Sequence, residues 1–232
     1  MIVVLIAGKP LAMPWVKENA DAVLVQWYAG EQQGCTLADI LLGKVNPSGK
    51  LNVSFPRSTG NTPCFYNHFV TDREESFDQP GTPEEPKGHY IFDKPEPLWN
   101  FGHGKSYTTF DYVDCALSDT LLVASDTLKV SVTIKNTGRR DGKEVVQLYV
   151  RDKVSTVATP IQQLKAFQKV LIKPGESQCV ELSLPIAELA LYNAKMEEVV
   201  EPGDFEIQIG AASDDIRFKK TITITVSYTH LR

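Results

Sequence analysis

Cysteine is scarce in this chain, four residues in 232. Cys35, Cys64, Cys115 and Cys179 form no C-x-x-C pair, and their gaps match no zinc-ligand spacing. A zinc ribbon and a thioredoxin-type redox centre are excluded. The thiols read as free, buried small hydrophobes, with one disulfide pair left open as the alternative. Basic charge is also short: 24 Lys and Arg face 29 Asp and Glu, for a net charge of −5. Nucleic acid wants a basic face, and an anionic membrane surface wants a polybasic patch; neither partner is expected. Long apolar runs are missing. The longest, Ile2 to Ala7, falls far below the roughly 20 residues that span a bilayer. The first residues lack the basic n-region and cleavage pattern of a signal peptide, which says nothing about chain further upstream. His68, His89 and His103 have neither metal-ligand spacing nor a Ser or Cys nucleophile motif beside them.

What is present is ordinary for a globular protein: 42% apolar and 23% charged residues. The length predicts one or two domains at roughly 100–200 residues each. Residues 1–55 read as strand–helix–strand–helix–strand. Ile2-Val3-Val4-Leu5-Ile6 is a continuous β-branched run, as in a parallel strand covered on both faces. Met13 to Ala20 reads as a short helix with Pro14 in its first turn. Ala22-Val23-Leu24-Val25 repeats the buried strand. Gly30 to Leu42 reads as a helix with Leu37, Ile40 and Leu41 on one face and Gly43 as its stop. Leu51, Val53 and Phe55 alternate as a third strand ended by Pro56. Alternating β and α elements imply a parallel sheet. Three strands and two short helices are too few for a self-sufficient α/β domain, so the rest of the sheet is expected to be encoded upstream.

Residues 56–100 hold seven of the fourteen prolines, mixed with acidic and aromatic residues. A disordered linker is poor in aromatics, so this stretch is expected to pack on a surface, with Asp72 to Lys87 as its mobile tip. Residues 110–226 alternate apolar and polar side chains over several short runs. Asn136-Thr137-Gly138, Asp141-Gly142, Lys173-Pro174-Gly175 and Glu201-Pro202-Gly203 supply turns between them. About seven such strands predict a two-sheet sandwich of immunoglobulin type.

Several stretches invite a chemical reading. Gly43-Lys44-Val45-Asn46-Pro47-Ser48-Gly49-Lys50 has five residues between its outer glycines where a P-loop needs four. Leu51 follows where Ser or Thr would bind magnesium, and a strand follows rather than a helix. Nucleotide binding is dropped. Gln26-Trp27-Tyr28-Ala29-Gly30-Glu31 follows the second strand at the edge where open α/β sheets bind ligands. Trp27 and Tyr28 offer aromatic faces to a sugar ring, set against core packing under the helix. Glu31 reads as a charge favourable at the helix N-terminus rather than as a catalytic acid. Glu74, Glu75, Glu84 and Glu85 are paired carboxylates, which can raise one another's pKa, but in a polar Pro-rich loop they read as solvated charges. The last residues, 227–232, fit no strand pattern and are given no function.

Phe101-Gly102-His103-Gly104-Lys105-Ser106-Tyr107-Thr108-Thr109-Phe110 closely resembles the signature joining the second catalytic domain of glycoside hydrolase family 3 to its fibronectin type III-like domain; only Lys105 departs, where Leu is usual. The 43–56 stretch is similar to the family's Gly-Asp-x-Asn-Pro-Ser-Gly-Lys-Leu-Pro-x-Thr-Phe-Pro. Trp27-Tyr28-Ala29-Gly30 resembles its Trp-Tyr-Pro-Gly. Glu144-Val145-Val146-Gln147-Leu148-Tyr149-Val150 and Leu164-Lys165-Ala166-Phe167 resemble strand motifs of its last domain. His89-Tyr90-Ile91-Phe92-Asp93 aligns with a further family segment in which Tyr90 replaces an Arg.

The resemblance implies a fold: an α/β fragment, the partial parallel sheet at the end of the α/β sandwich domain, then an all-β immunoglobulin-like, fibronectin type III-like sandwich. The expected boundaries are 1–56, a packed linker over 57–109, the sandwich over 110–226 and an unassigned tail. It also implies a retaining exo-acting glycosidase of the β-glucosidase or β-xylosidase kind, acting on β-linked glucosides or xylosides with no metal or organic cofactor; the compartment stays open, with the periplasm or secretion favoured over the cytoplasm. In that family the nucleophilic Asp lies in an N-terminal barrel and the acid/base Glu upstream of the strand matching residues 2–6. No catalytic residue is therefore expected in these residues, and Trp27, Tyr28 and Glu31 stand only as substrate-proximal candidates. The missing barrel domain is the implied partner. The alternatives are a carbohydrate-binding module, with Tyr149 and Tyr192 as its exposed aromatics, and a scaffold role for residues 110–225.

Overall fold

The structure is a computed structural model and describes residues 1–69, 82–84 and 96–225. The paired carboxylates Glu74, Glu75 and Glu85, the segment His89–Asp93 and the 227–232 tail lie outside the described residues. The chain divides into two compact units: Met1–Tyr66 with Thr71–Lys105, and Asn67–Val70 with Ser106–Arg232.

In the first unit, β1 (Ile2–Leu5) and β2 (Ala22–Val25) pair in parallel, Ile2 opposite Ala22 and Leu5 opposite Val25. They are linked through α1 (Pro14–Asn19), and β2 leads to α2 (Gln33–Leu41). Pro14 stands at the start of α1, where its missing N–H costs nothing. Gly43 takes φ 70° just past α2, a conformation that suits glycine, and ends the helix as expected. Neither helix has a buried residue. Among the described residues of this unit the buried apolar side chains are Phe55, Pro56 and Leu98.

The expected third strand over Leu51–Phe55 does not form. That stretch bonds instead to the later chain: Gly102 N–H donates to Leu51 O (2.7 Å), Leu51 N–H to His103 O (2.8 Å), Phe55 N–H to Trp99 O (2.8 Å) and Leu98 N–H to Phe55 O (2.7 Å). The alternation that reads as a sheet strand serves an irregular antiparallel clasp between residues 51–55 and 98–103. The two glycine motifs, 43–50 and 102–104, are thus halves of one structure. Gly102 has φ 80°, and a Cβ on Gly104 would run into the carbonyl oxygen of Gly49.

The second unit is the predicted sandwich. A five-stranded sheet runs β4 (Leu121–Val123), β12 (Asp215–Thr225), β11 (Gly203–Ala212), β6 (Gly142–Asp152), β7 (Gln163–Ile172). A three-stranded sheet runs β3 (Phe110–Leu117), β5 (Thr127–Asn136), β8 (Ser177–Pro185). A hairpin, β9 (Leu191–Tyr192) with β10 (Glu198–Val199), completes it. Eight strands in two sheets replace the roughly seven expected, the addition being the three residues of β4. The core lies between the sheets. Leu128, Val130, Val132 and Ile134 of β5 face Val146, Leu148 and Val150 of β6 and Phe205, Ile207 and Ile209 of β11. Each such side chain contributes about 1.5–3 kcal/mol on burial. The apolar period of two is the direct cause of this arrangement.

On the large sheet the outward positions of the central strands are buried as well. Gln147, Tyr149 and Gln208 expose 4% of their surface or less. Tyr149 O–H donates to Gln147 Oε1 (2.5 Å), and Gln147 Nε2 donates to Ala211 O (2.6 Å). Tyr149 is therefore no exposed platform, contrary to expectation; Tyr192 is exposed on the β9–β10 hairpin. The segment at Asn67–Phe69 runs beside the start of β7: Ile161 N–H donates to His68 O (2.9 Å), and Phe69 bridges Pro160. One buried side chain fastens the entry to the sandwich. Asn136 donates from Nδ2 to the carbonyls of Arg140 and Ile172 (2.8 Å each), and its Oδ1 accepts from Thr108 Oγ1 (2.6 Å) and from Gly138 N–H (3.0 Å). All four cysteines are free.

Candidate functional site

The candidate site lies at the C-terminal ends of β1 and β2. Gln26 N–H still continues the ladder, donating to Leu5 O (2.9 Å). Its Nε2 reaches forward to Gln33 O (2.6 Å) at the start of α2. Trp27 then takes φ 52°, a conformation unfavourable for a bulky residue. The reversal sends the next two side chains opposite ways. Trp27 turns in: its ring lies 5.9 Å from that of Phe55, which meets Trp99 edge-on at 5.7 Å. The Lys17 ammonium approaches Trp99 at 5.9 Å and donates to the carbonyl of Leu98. Tyr28 turns out, with 75% of its surface exposed. Its ring crosses the backbone at Gly8, just beyond β1, where a Cβ would sit 2.8 Å from Cε2. Only glycine lets the ring lie there.

Of the three sequence candidates, two adjacent residues thus part company. Trp27 is half-buried against Phe55, and Tyr28 is exposed. Glu31 lies just ahead of α2, whose first turn contains no acidic residue and whose Gln32 cap makes no side-chain bond. Glu84 is exposed. Gly8 was not singled out by sequence, though a glycine two residues past the apolar run Ile2–Ile6 is the signal that could have marked it. A second aromatic pair, Tyr66 stacked on Phe101 at 4.2 Å, sits beside the 98–103 clasp.

No group of three or more His, Cys, Asp or Glu side chains able to hold a metal ion occurs among the described residues. Among the same residues no helix is long and apolar enough to cross a membrane. Among the described residues, a buried titratable cluster lies in the sandwich. Tyr112 O–H lies 3.3 Å from Glu144 Oε1 and 3.3 Å from Gly210 O. Burial foremost, and then the Glu144 carboxylate, push the Tyr112 phenol far up, against the pull of Arg217, whose guanidinium lies 5.7 Å from the ring.

The whole chain has known counterparts. Residues 1–107 match the model of the glycosyl hydrolase family 3 C-terminal domain, and residues 144–213 match that of a fibronectin type III-like domain. The chain belongs to glycosyl hydrolase family 3. A β-xylosidase of Formosa agariphila is 41% identical over 97% of the chain, and a periplasmic β-glucosidase of Salmonella typhimurium is 39% identical over 94%. The crystal structure of a Listeria innocua β-glucosidase in complex with glucose superposes with a TM-score of 0.85 at 36% identity, over 96% of this chain. The β-glucosidase 3B of Thermotoga neapolitana, with α-D-glucose, gives 0.77 at 36% identity. The chain spans only 30% and 28% of the lengths of the first two relatives. The family portion present here is therefore the C-terminal domain followed by the fibronectin type III-like sandwich.

Proposed function

We propose that these residues serve as the C-terminal portion of a retaining, exo-acting β-glycosidase that hydrolyses O-glycosyl bonds of β-glucosides, β-xylosides or related oligosaccharides. The observation that carries this reading is continuous identity of 41% over 97% of the chain to a β-xylosidase, with 39% over 94% to a β-glucosidase. In such a reaction a carboxylate attacks the anomeric carbon while a carboxylic acid protonates the departing oxygen. Water then displaces the enzyme carboxylate and the sugar leaves. Neither carboxyl group is assigned to residues 1–232, so the chain alone is expected to be inactive. Residues 1–56 are assigned to the end of the α/β domain, 57–109 to the linker and 110–226 to the sandwich.

Within this portion Tyr28 is the residue proposed to approach substrate. Its exposed ring at the C-terminal edge of parallel strands suits the apolar face of a pyranose, and Trp27 positions it from beneath. Glu31 stands as a neighbouring hydrogen-bond acceptor. The sandwich is assigned a scaffold role rather than sugar binding, because the outward side chains Gln147 and Tyr149 are buried and bonded to each other.

The test is a chimera in which residues 1–232 replace the matching segment of the Formosa agariphila β-xylosidase. Turnover of aryl β-xylosides or β-glucosides by the chimera is expected, with none by the chain alone. Turnover by the purified 232-residue chain would overturn the assignment of the carboxylates.

A further inference from the structure

We propose that the connection between β6 and β7, residues 153–162, is a strap that seats residues 67–69 on the sandwich, with Glu201 as its catch. The proposal is independent of the glycosidase reading. β6 and β7 are antiparallel neighbours, Val150 opposite Gln163. Such a pair is commonly closed by roughly two to five residues. Here the chain makes a longer excursion from Asp152, where β6 ends, to Gln163, where β7 begins. The surplus is not slack, because side chains from outside β7 tie it at both ends.

Near its start the strap is held by two carboxylates. Asp152 Oδ1 accepts from Val154 N–H (3.2 Å). Glu201, just ahead of β11, engages both of its oxygens with one residue: Oε2 accepts from Thr156 N–H (2.9 Å) and Oε1 from Thr156 Oγ1. These bonds hold the Glu201 carboxyl below its ordinary range, so the catch is ionised at neutral pH. Hydrogen bonds to an ionised acceptor are the stronger class. At the far end of the strap Gln162 Nε2 donates to Ser213 O (3.0 Å), in the turn between β11 and β12. The two fastenings therefore lie just before and just after β11, a central strand of the large sheet.

Between these fastenings the strap meets residues 67–69. Ile161 N–H donates to His68 O (2.9 Å), and Pro160 pairs with Phe69 in an antiparallel bridge. Pro160 has no N–H to give, so Ile161 supplies the donor. The ladder of β7 against β6 starts only at Gln163, which leaves the position of Ile161 to the strap. Once Thr156 leaves Glu201, residues 153–160 lose their anchor and Ile161 is no longer held against His68. The chain runs on from Phe69 into its acidic and aromatic stretch, so the catch controls where that stretch begins.

The test is native-state amide exchange of the full 232-residue chain, read residue by residue by NMR at neutral pH. The Thr156 amide reports the catch and the Ile161 amide reports the seat. Glu201→Ala should speed exchange at both by about tenfold or more. Glu201→Gln, which keeps one acceptor oxygen, should fall in between. The amides of Leu148 and Ile207, inside β6 and β11, should keep their rates. Coupling is reciprocal, so Phe69→Ser, a change at an exposed ring, should speed Thr156 as well as Ile161. Glu181→Ala, on β8, should alter neither. Faster exchange at Thr156 with Ile161 unchanged in Glu201→Ala would overturn the proposal. So would a Phe69→Ser chain in which Ile161 is freed while Thr156 stays protected. A rise shared equally by Leu148 and Ile207 would also overturn it, because Glu201 would then stabilise the sandwich as a whole.

Discussion

The hydroxyl of Thr108 donates a 2.6 Å hydrogen bond to Oδ1 of Asn136, a side chain with no exposed surface. Thr108 closes the motif that leads into the sandwich, and Asn136 ends β5 at the turn into β6. Asn136 also binds two carbonyls, so every polar atom of its amide is used in a dry site. Asn136→Ala would strand the Thr108 hydroxyl and the carbonyls of Arg140 and Ile172. The expected loss is about 2–4 kcal/mol of sandwich stability, read as a lowered urea midpoint. Thr108→Val, which removes one bond, should cost about 1–2 kcal/mol.

Gly104→Ala should loosen the first unit and leave the second unchanged. The added methyl meets the Gly49 carbonyl, and the backbone must yield because no flexible side chain stands in between. Hydrogen exchange checks this: the amides of Leu51, Phe55 and Gly102 should exchange faster, while those of β5 and β6 keep their protection.

Alkaline pH should weaken the sandwich through Tyr112. Burial and the Glu144 carboxylate raise its phenol above the unfolded value, which is about 10. A group raised in the folded state contributes stability that is whole below the unfolded pKa and declines as pH climbs beyond it. Above pH of about 10 the Tyr112 contribution should fall by up to about 1.4 kcal/mol per pH unit. Urea midpoints measured from pH 8 to 11 should therefore drop less steeply for Tyr112→Phe than for the unaltered chain.

Thiol titration should count four free cysteines in denaturant. In the native chain Cys35 and Cys179 are exposed and should react first. Burial raises the thiols of Cys64 and Cys115, so both should lag, Cys115 longest because it faces the sandwich core. Fewer than four thiols in denaturant would mean a disulfide that the structure does not contain.

The sandwich was the legible part of the sequence. Strict alternation from Leu128 to Ile134 and from Phe205 to Ile209 has one physical meaning when turn residues bound it, and the strands lie where the pattern puts them. The parallel pair was equally plain, since Ile2–Leu5 and Ala22–Val25 are short, continuous apolar runs flanking a helix. Alternation misled at Leu51–Phe55, because a period of two marks an extended chain without saying what it pairs with. It also missed the burial of Gln147 and Tyr149, whose polarity implied a wet face until their mutual hydrogen bond was seen. Trp27 and Tyr28 are adjacent aromatics, indistinguishable by type. The left-handed turn at Trp27 separates them, and no β-branched or aromatic pattern announces a positive φ. Gly8 and Gly49 matter only through contacts with residues distant in the chain, which local composition does not encode.

The bridge between Phe55 and Trp99 bears on how this protein can change length over evolutionary time. Because those two residues are bonded to each other, the chain between them leaves and returns at one point. Once such ends are joined, doubling the enclosed length costs only about 0.6 kcal/mol. Insertions and deletions in that stretch, away from Tyr66–Phe69 and Leu98, therefore cost the fold little. Homologous chains should differ most in length there, while the spacing from Gly102 to Asn136 stays constant.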